Sequence, residues 1–146
     1  MKRLALSGVF VFLLAQGGLA AEPQPVAAIK ALQATNQKVN WDAKTAVVDD
    51  VTCDGIPDTV IVGYEQDAIW LGVVPGTKSD KLGKPTTTRF FLGKQTQDSL
   101  CAAPVRIEVY PIECEDENGS LPGCKAVKGC SAFSLIDDSC DSFHFY

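Results

Sequence analysis

The loop Asp50–Asp58 carries the side chains whose types and spacing best fit a metal site. Oxygen-bearing side chains stand at loop positions 1, 3, 5 and 9, and glycine stands at position 6, where it permits a sharp turn. Because Ca²⁺ takes about six to eight oxygen ligands, the pattern predicts a calcium site. The predicted ligands are Asp50, Thr52, Asp54, the main-chain carbonyl of Ile56, and Asp58.

The same aspartates also suit a solvated β-turn without a metal, because Asp54-Gly55 is a turn-forming pair. An EF-hand is excluded, since its twelfth loop position needs a bidentate glutamate and Ile61 stands there. If Ca²⁺ binds, we expect it to play a structural role and to hold two strands together, with no part in catalysis.

Residues 46–63 resemble one FG-GAP/VCBS repeat, the calcium-loop repeat of integrin-α-type propellers. The shared pattern is an apolar strand, an aspartate-rich loop with glycine, and a second apolar strand. The resemblance implies the same five calcium ligands. Thr52 stands where the family has Asn or Asp, and Cys53 where it has Gly, which implies a disulfide anchor for the loop. A propeller needs several blades and the chain has one copy, so a whole propeller is excluded.

Residues 1–20 have the pattern of an export signal. Lys2 and Arg3 precede the apolar run Leu4–Ala15, which is too short to span a bilayer as a helix. The small residues of Gly18-Leu19-Ala20 predict cleavage before Ala21, with cleavage after Ala21 as the alternative. An uncleaved membrane anchor is disfavoured because no stop-transfer pattern follows.

Charge and length restrict the partners. The 146 residues include 13 Lys+Arg and 18 Asp+Glu, a net charge of −5, and loss of Lys2 and Arg3 leaves 11 against 18, or −7. An acidic chain is a poor match for nucleic acid or an anionic membrane. No later apolar segment is long enough to span a membrane. We therefore expect a single exported domain, residues 21–146, that is periplasmic or secreted.

Six cysteines predict a disulfide framework outside the reducing cytosol. A zinc site is disfavoured, because the cysteines are not spaced as knuckles and His144 is the one histidine. The preferred pairs are Cys114–Cys124 and Cys130–Cys140, with Cys53–Cys101 as the long-range link, and the other pairings stay open. The cysteines are Cys53, Cys101, Cys114, Cys124, Cys130 and Cys140.

The pattern of the mature chain predicts a mainly β domain with one short N-terminal helix, Val26–Thr35. β-branched and alternating segments separated by turns favour a small antiparallel sandwich or barrel, linked by disulfides. A closing hairpin is expected around Asp137-Asp138. The strand-like segments are Lys44–Asp49, Thr59–Tyr64, Ala68–Val74, Thr86–Leu92, Val105–Ile112, Ala132–Ile136 and Ser142–Tyr146.

Two further acidic groups give weaker signals. The cluster of Asp137, Asp138 and Asp141 around Cys140 fits a solvated turn better than a cation site. The second group suits a solvated face or a contact for a basic partner. It comprises Glu113, Glu115, Asp116 and Glu117.

The aromatic residues are expected mainly in the core. His144 lies among phenylalanines, which favours a packed position over a catalytic one. Four other rings suit core packing better than a sugar platform. They are Trp41, Tyr64, Trp70 and Tyr110.

The sequence contains no Gly-x-Ser-x-Gly, His-Glu-x-x-His or phosphate-binding glycine motif. We therefore expect a non-enzymatic binding or structural domain, Ca²⁺-stabilised, whose partner is an unknown protein or glycan. One alternative is a periplasmic inhibitor of a basic cell-wall hydrolase such as lysozyme. Another is a small hydrolase that uses carboxylates, although the sequence marks out no pair of them.

Overall fold

In a computed structural model of the protein, the described residues are 24–79, 81–93, 99–116, 119–120, 122–140 and 142–146. The predicted export signal, residues 1–20, lies outside them, as do Glu117, Asn118 and Asp141. The described part is mainly β and has one α-helix, α1 (Gln24–Thr35), which confirms the fold class expected from the sequence.

The first part of the chain forms a six-stranded sheet, sheet A. Its strands are β1 (Asn40–Trp41), β2 (Val47–Asp49), β3 (Asp58–Glu65), β4 (Ala68–Val74), β5 (Thr86–Leu92) and β6 (Ser99–Leu100). They lie in the order β1-β3-β4-β5-β6, and β2 also pairs with β3. The pairs are antiparallel except β5–β6, which is parallel. A 3₁₀ turn, Ala43–Thr45, precedes β2. The Asp42 carboxylate caps this turn by accepting the Lys44 N–H at 2.9 Å.

The last part of the chain forms the three-stranded sheet B. Its strands are β7 (Arg106–Pro111), β10 (Ser131–Ile136) and β11 (Phe143–Phe145), in the order β11-β10-β7. The β10–β11 pair confirms the predicted closing hairpin. Between β7 and β10, strands β8 (Glu115–Asp116) and β9 (Gly119–Ser120) pair antiparallel.

Strands β3 and β4 lie at the centre of the molecule and are buried on both faces. Their alternating side chains separate into two cores: Val62 and Leu71 pack with sheet B, whereas Ile61 and Val74 pack with α1. Burial on both sides explains why these strands are nearly continuous apolar runs. The result is a two-sheet sandwich with α1 as a third layer.

Trp41 packs closely against sheet A on the side of α1. It is 6% exposed, in agreement with the expected core role. A Cβ atom added at Gly63 would lie 2.7 Å from Cε3 of Trp41, and one added at Gly72 would lie 2.7 Å from both Cδ atoms of Leu32. These two glycines therefore allow the indole ring and the helix to approach the strands.

The disulfides are Cys53–Cys130, Cys101–Cys140 and Cys114–Cys124. The predicted Cys114–Cys124 pair is confirmed. The predicted pairs Cys130–Cys140 and Cys53–Cys101 are wrong, because strand β10 carries residues 130 and 140 to opposite ends of sheet B. Each of those cysteines instead meets a loop of the first part of the chain.

Candidate functional site

The predicted calcium loop is organised by the buried carboxylate of Asp58, which begins β3 and is 0% exposed. Its Oδ2 atom accepts the N–H groups of Val51 at 3.0 Å and Thr52 at 2.8 Å. Its Oδ1 atom accepts the N–H of Gly76 at 2.9 Å, just beyond β4. A Cβ at Gly76 would lie 2.2 Å from the carbonyl oxygen of Pro57, so this contact requires glycine.

The other two aspartates of the loop also accept main-chain N–H groups. Asp50 accepts from Asp54 at 3.1 Å and from Gly55 at 2.9 Å, and Asp54 accepts from Ile56 at 2.9 Å. Gly55 has φ +82°, the left-handed conformation that glycine adopts without strain. The loop is thus held as a set of side-chain-to-backbone turns.

The predicted calcium ligands differ in exposure. Thr52 and Asp54 are exposed, Asp50 and Ile56 are half-buried, and Asp58 is buried. Each carboxylate oxygen keeps a further lone pair after accepting one N–H, and an all-oxygen donor set is the one that Ca²⁺ prefers. The residue types therefore suit Ca²⁺, but among the described residues the three aspartates of this loop do not form a close group of potential ligand atoms.

Within the described ranges, three potential ligand atoms do come together elsewhere, at Cys101, Asp137 and Cys140, within 4.8 Å of one another. Both cysteines belong to a disulfide, so their sulfur atoms are not thiolate ligands. Asp137 accepts four main-chain N–H groups, those of Cys101, Ala102, Ser139 and Cys140. This carboxylate holds the Cys101–Cys140 region together.

Burial raises the pKa of the Asp137 carboxyl, and its four main-chain donors lower it, so that the net pKa lies below its ordinary value. Asp138 beside it is exposed and forms an ion pair with Arg106. The predicted third member of this acidic cluster, Asp141, lies outside the described residues. Asp137 therefore anchors the segment after β10 as a buried residue, and not as part of the solvated turn expected from the sequence.

The outer face of sheet B carries a triangle of hydrogen bonds. The Oγ atom of Ser134 lies 2.8 Å from Nδ1 of His144 and 2.9 Å from the hydroxyl of Tyr110, which lies 3.1 Å from the same Nδ1. Strand alternation turns Phe133 and Phe145 into the core, where their rings stack 4.7 Å apart. Ser134 and His144 therefore point outwards.

The expected packed position of His144 is wrong, because the residue is exposed. Its two phenylalanine neighbours face the core, and the alternation of a strand places His144 on the opposite face. Tyr110, expected in the core, lies half-buried on this outer face. The Phe-His-Phe pattern contained this signal, but the partner strands were needed to bring Ser134 and Tyr110 to the same place.

An open cavity of about 560 Å³ lies beside the triangle. Its lining includes the aromatic rings of Tyr110, Phe143, His144 and Tyr146 and the carboxylates of Glu113 and Glu115. A second cavity of about 450 Å³ is lined by the same two glutamates together with Cys114 and Ala126. We call the two cavities with their shared glutamates the acidic-aromatic groove.

Ser134 and His144 have the residue types of a nucleophile and its base, and their separation is within hydrogen-bond reach. Ser134, however, is 3% exposed beneath the two rings, so its oxygen does not face the cavity as an attacking atom must. The triangle instead holds the rings of Tyr110 and His144 in fixed positions beside the groove. This arrangement suits binding better than covalent catalysis.

Comparisons of the chain with models of protein families, with curated proteins and with solved structures find no match. Function is therefore argued from the geometry and chemistry of the chain. In the part of the chain that the structure describes, no helix has the length and apolar character needed to cross a membrane.

Proposed function

We propose that this protein is an exported, non-enzymatic binding domain that recognises a basic protein through the acidic-aromatic groove. Export is supported by the sequence pattern of residues 1–20 and by three disulfides, which are typical of oxidising compartments. The excess of acidic residues favours a cationic partner and accelerates encounter with it.

The observation that carries the proposal is the position of Glu113 and Glu115. Both are exposed, both line the two cavities, and neither forms an ion pair with another described residue. Exposed carboxylates without a cationic neighbour keep their charge available for a partner. Cys114 lies between the two glutamates in sequence, and its disulfide with Cys124 restrains the segment that bears them.

The identity of the partner is supported by chemistry alone. A basic cell-wall hydrolase such as lysozyme is the partner class that best combines positive charge with an exported location. In this form of the proposal the domain acts as an inhibitor that covers the partner's surface. Nucleic acid is disfavoured because its phosphates are repelled by the groove.

We also propose that the loop Asp50–Asp58 binds one Ca²⁺ as a stabilising ion, as its resemblance to the FG-GAP/VCBS repeat implies. Asp50, Thr52, Asp54 and Asp58 with the carbonyl of Ile56 would hold it, once the loop rearranges so that the three carboxylates come together. The Cys53–Cys130 disulfide and the hydrogen bond from Ser131 N–H to the carbonyl of Asp50, 2.8 Å, join this loop to sheet B. An ion here would stiffen the connection between the two sheets.

The test of the partner is a calorimetric titration of the oxidised mature chain with lysozyme at low and at high ionic strength. We expect binding at low salt that weakens as salt is added, because rim charges are screened. The Glu113→Gln/Glu115→Gln double variant should bind about tenfold more weakly. Asp67→Asn, which removes an exposed carboxylate from the β3–β4 turn, is the control for each glutamate change made singly, since each removes one negative charge, and it should bind as the wild type does.

Inhibition of lysozyme activity measured on the same samples separates an inhibitor from a simple binder. Absence of binding at low ionic strength, or equal weakening by the control variant, would overturn the basic-partner proposal. Equal weakening would mean that net charge, and not the groove, carries the interaction.

A further inference from the structure

The groove has two chemically different parts, and the difference indicates what each part receives. One cavity is lined by the aromatic rings of Tyr110, Phe143, His144 and Tyr146 and by the carboxylates of Glu113 and Glu115. Aromatic faces and carboxylates both attract cations, and the aromatic faces also accept an alkyl chain. The second cavity shares only the carboxylates.

The rings beside the first cavity are held in place before any ligand arrives. The hydroxyl of Tyr110 and Nδ1 of His144 both bond to the buried Oγ of Ser134, at 2.9 and 2.8 Å. The phenylalanines on either side of His144 anchor β11 in the core, where Phe143 lies 4.9 Å from Phe90. A site whose side chains are already ordered loses less entropy on binding.

Tyr146 differs from these fixed rings because it is 62% exposed, so that a ligand can pack against its ring. Of the residues that line this cavity, Tyr146 is the one exposed large hydrophobic residue. A cationic side chain with an apolar stem can cover the tyrosine ring with its stem and place its charge near the two carboxylates. Both contacts favour binding. Lysine and arginine side chains have that form.

We propose that the aromatic cavity receives one lysine or arginine side chain of the basic partner, while the second cavity, next to Glu113 and Glu115, receives the adjoining part of the partner's segment. The cavity volume of about 560 Å³ lies in the range of ligand sites, about 300–1,000 Å³. The cavity is therefore large enough to admit a lysine or arginine side chain. This inference rests on the proposed function, and it names the group that the groove recognises.

The experiment uses the small probes N-acetyl-lysine amide and N-acetyl-arginine amide, titrated into the isotope-labelled, oxidised mature chain and followed by NMR. We expect chemical-shift changes concentrated on the rings of Tyr110, His144 and Tyr146. The uncharged control probe, in which the lysine Nε is acetylated, should cause none of them. Lysine and arginine should both bind, because the site recognises charge and an alkyl stem.

Two variants test the contribution of the rings. Tyr146→Ala removes an exposed ring and should raise the apparent Kd of the probe about fivefold, with the melting temperature unchanged. Tyr110→Phe keeps the ring and removes the hydroxyl that fixes it, and should give a smaller change of about twofold. Tyr64→Phe is its matched control, since the Tyr64 hydroxyl bonds the main chain of Val105, away from the groove.

The inference fails if the acetylated probe causes the same shifts, or if the shifts are spread over exposed acids such as Asp67 and leave the three rings unchanged. The proposed function fails by a different result, the absence of lysozyme binding at low ionic strength. If lysozyme binds and is weakened by the glutamate variants but not by Tyr146→Ala, the groove binds a basic protein without placing a cationic side chain among the rings.

Discussion

The Nδ1 atom of His144 lies 2.8 Å from the Oγ atom of Ser134, directly across the ladder between β10 and β11. The contact joins two residues that the sequence separates by ten positions, and Tyr110 completes it from strand β7. Because Ser134 is almost wholly buried beneath the two rings, the contact orders the outer face of sheet B. The positions of the His144 and Tyr110 rings, which line the groove, depend on this contact.

Ser134→Ala should lower the free energy of unfolding by about 1 kcal/mol, because it removes the shared partner of His144 and Tyr110. Urea unfolding of the oxidised chain measures this change. Ser120→Ala is the control, since that serine is exposed in β9, and it should change stability little. A loss for Ser134→Ala no larger than that of the control would mean that the triangle does not order the face.

Asp137→Asn should destabilise the protein at neutral pH by about 2–3 kcal/mol, because an amide oxygen cannot replace a carboxylate that accepts four main-chain N–H groups. The folded pKa of Asp137 is lowered, so its stabilising contribution is present above the unfolded pKa of about 3.9 and is lost as the pH falls through the lower folded pKa. The difference in stability between wild type and variant should therefore shrink below about pH 4.

Urea unfolding at a series of pH values from neutral to strongly acidic tests this dependence. Asp67→Asn is the control, because its carboxylate is exposed and pairs with Arg89 at 3.5 Å. Its effect should be small at every pH. A constant difference between Asp137→Asn and wild type across the series would contradict the role assigned to the ionised carboxylate.

Millimolar Ca²⁺ should raise the melting temperature of the oxidised, EDTA-treated mature chain. At a free concentration ten times the Kd, the expected stabilisation is about 1.4 kcal/mol. Asp54→Ala should abolish it, because Asp54 is an exposed predicted ligand whose Oδ1 accepts just one N–H, that of Ile56. Differential scanning calorimetry with and without Ca²⁺ makes the comparison, with Mg²⁺ as the control ion.

If neither heat of binding nor a melting shift is found, the loop is a set of aspartate turns and the resemblance to a calcium repeat carries no metal. A shift that survives in Asp54→Ala would locate the ion elsewhere in the chain. Asp67→Ala, outside the loop, should keep the full response to Ca²⁺.

Gly72→Ala should destabilise the protein by about 1–3 kcal/mol through overpacking. The added methyl would lie 2.7 Å from both Cδ atoms of Leu32 and 2.9 Å from Cζ3 of Trp41. The double variant Gly72→Ala/Leu32→Ala tests the cause, since removing the leucine makes room for the methyl. The two changes should therefore be less than additive in unfolding free energy, and strict additivity would show that the clash is not with the helix.

Removing the Cys53–Cys130 disulfide should cost more stability than removing Cys114–Cys124. The first bridges 77 residues and the second 10, for which chain entropy predicts about 4.5 and about 2.7 kcal/mol. Paired Cys→Ala variants, unfolded in urea, make the comparison. Non-reducing peptide mapping of the wild type checks the pairing itself, and a Cys130–Cys140 peptide would contradict it.

The sequence by itself determined features that depend on neighbouring residues. The runs of β-branched residues predicted β3 and β4, the apolar pattern predicted α1, and the acidic turn at Asp137-Asp138 predicted the β10–β11 hairpin. The pattern of residues 46–63 predicted two strands joined by an aspartate-rich loop, and β2 and β3 are paired strands at the two ends of that loop. Such signals survive because strand alternation and turn chemistry are local.

Only the tertiary structure decided the disulfide partners, the acceptor role of each aspartate and the composition of the groove. Cys53 meets Cys130 and Cys101 meets Cys140 because packing of sheet B on sheet A brings distant loops together. His144 faces outwards because the register of β11 against β10 commits its phenylalanine neighbours to the core. Register and sheet packing are settled by the burial of residues far apart in the chain, and the order of residues along the chain does not specify those contacts.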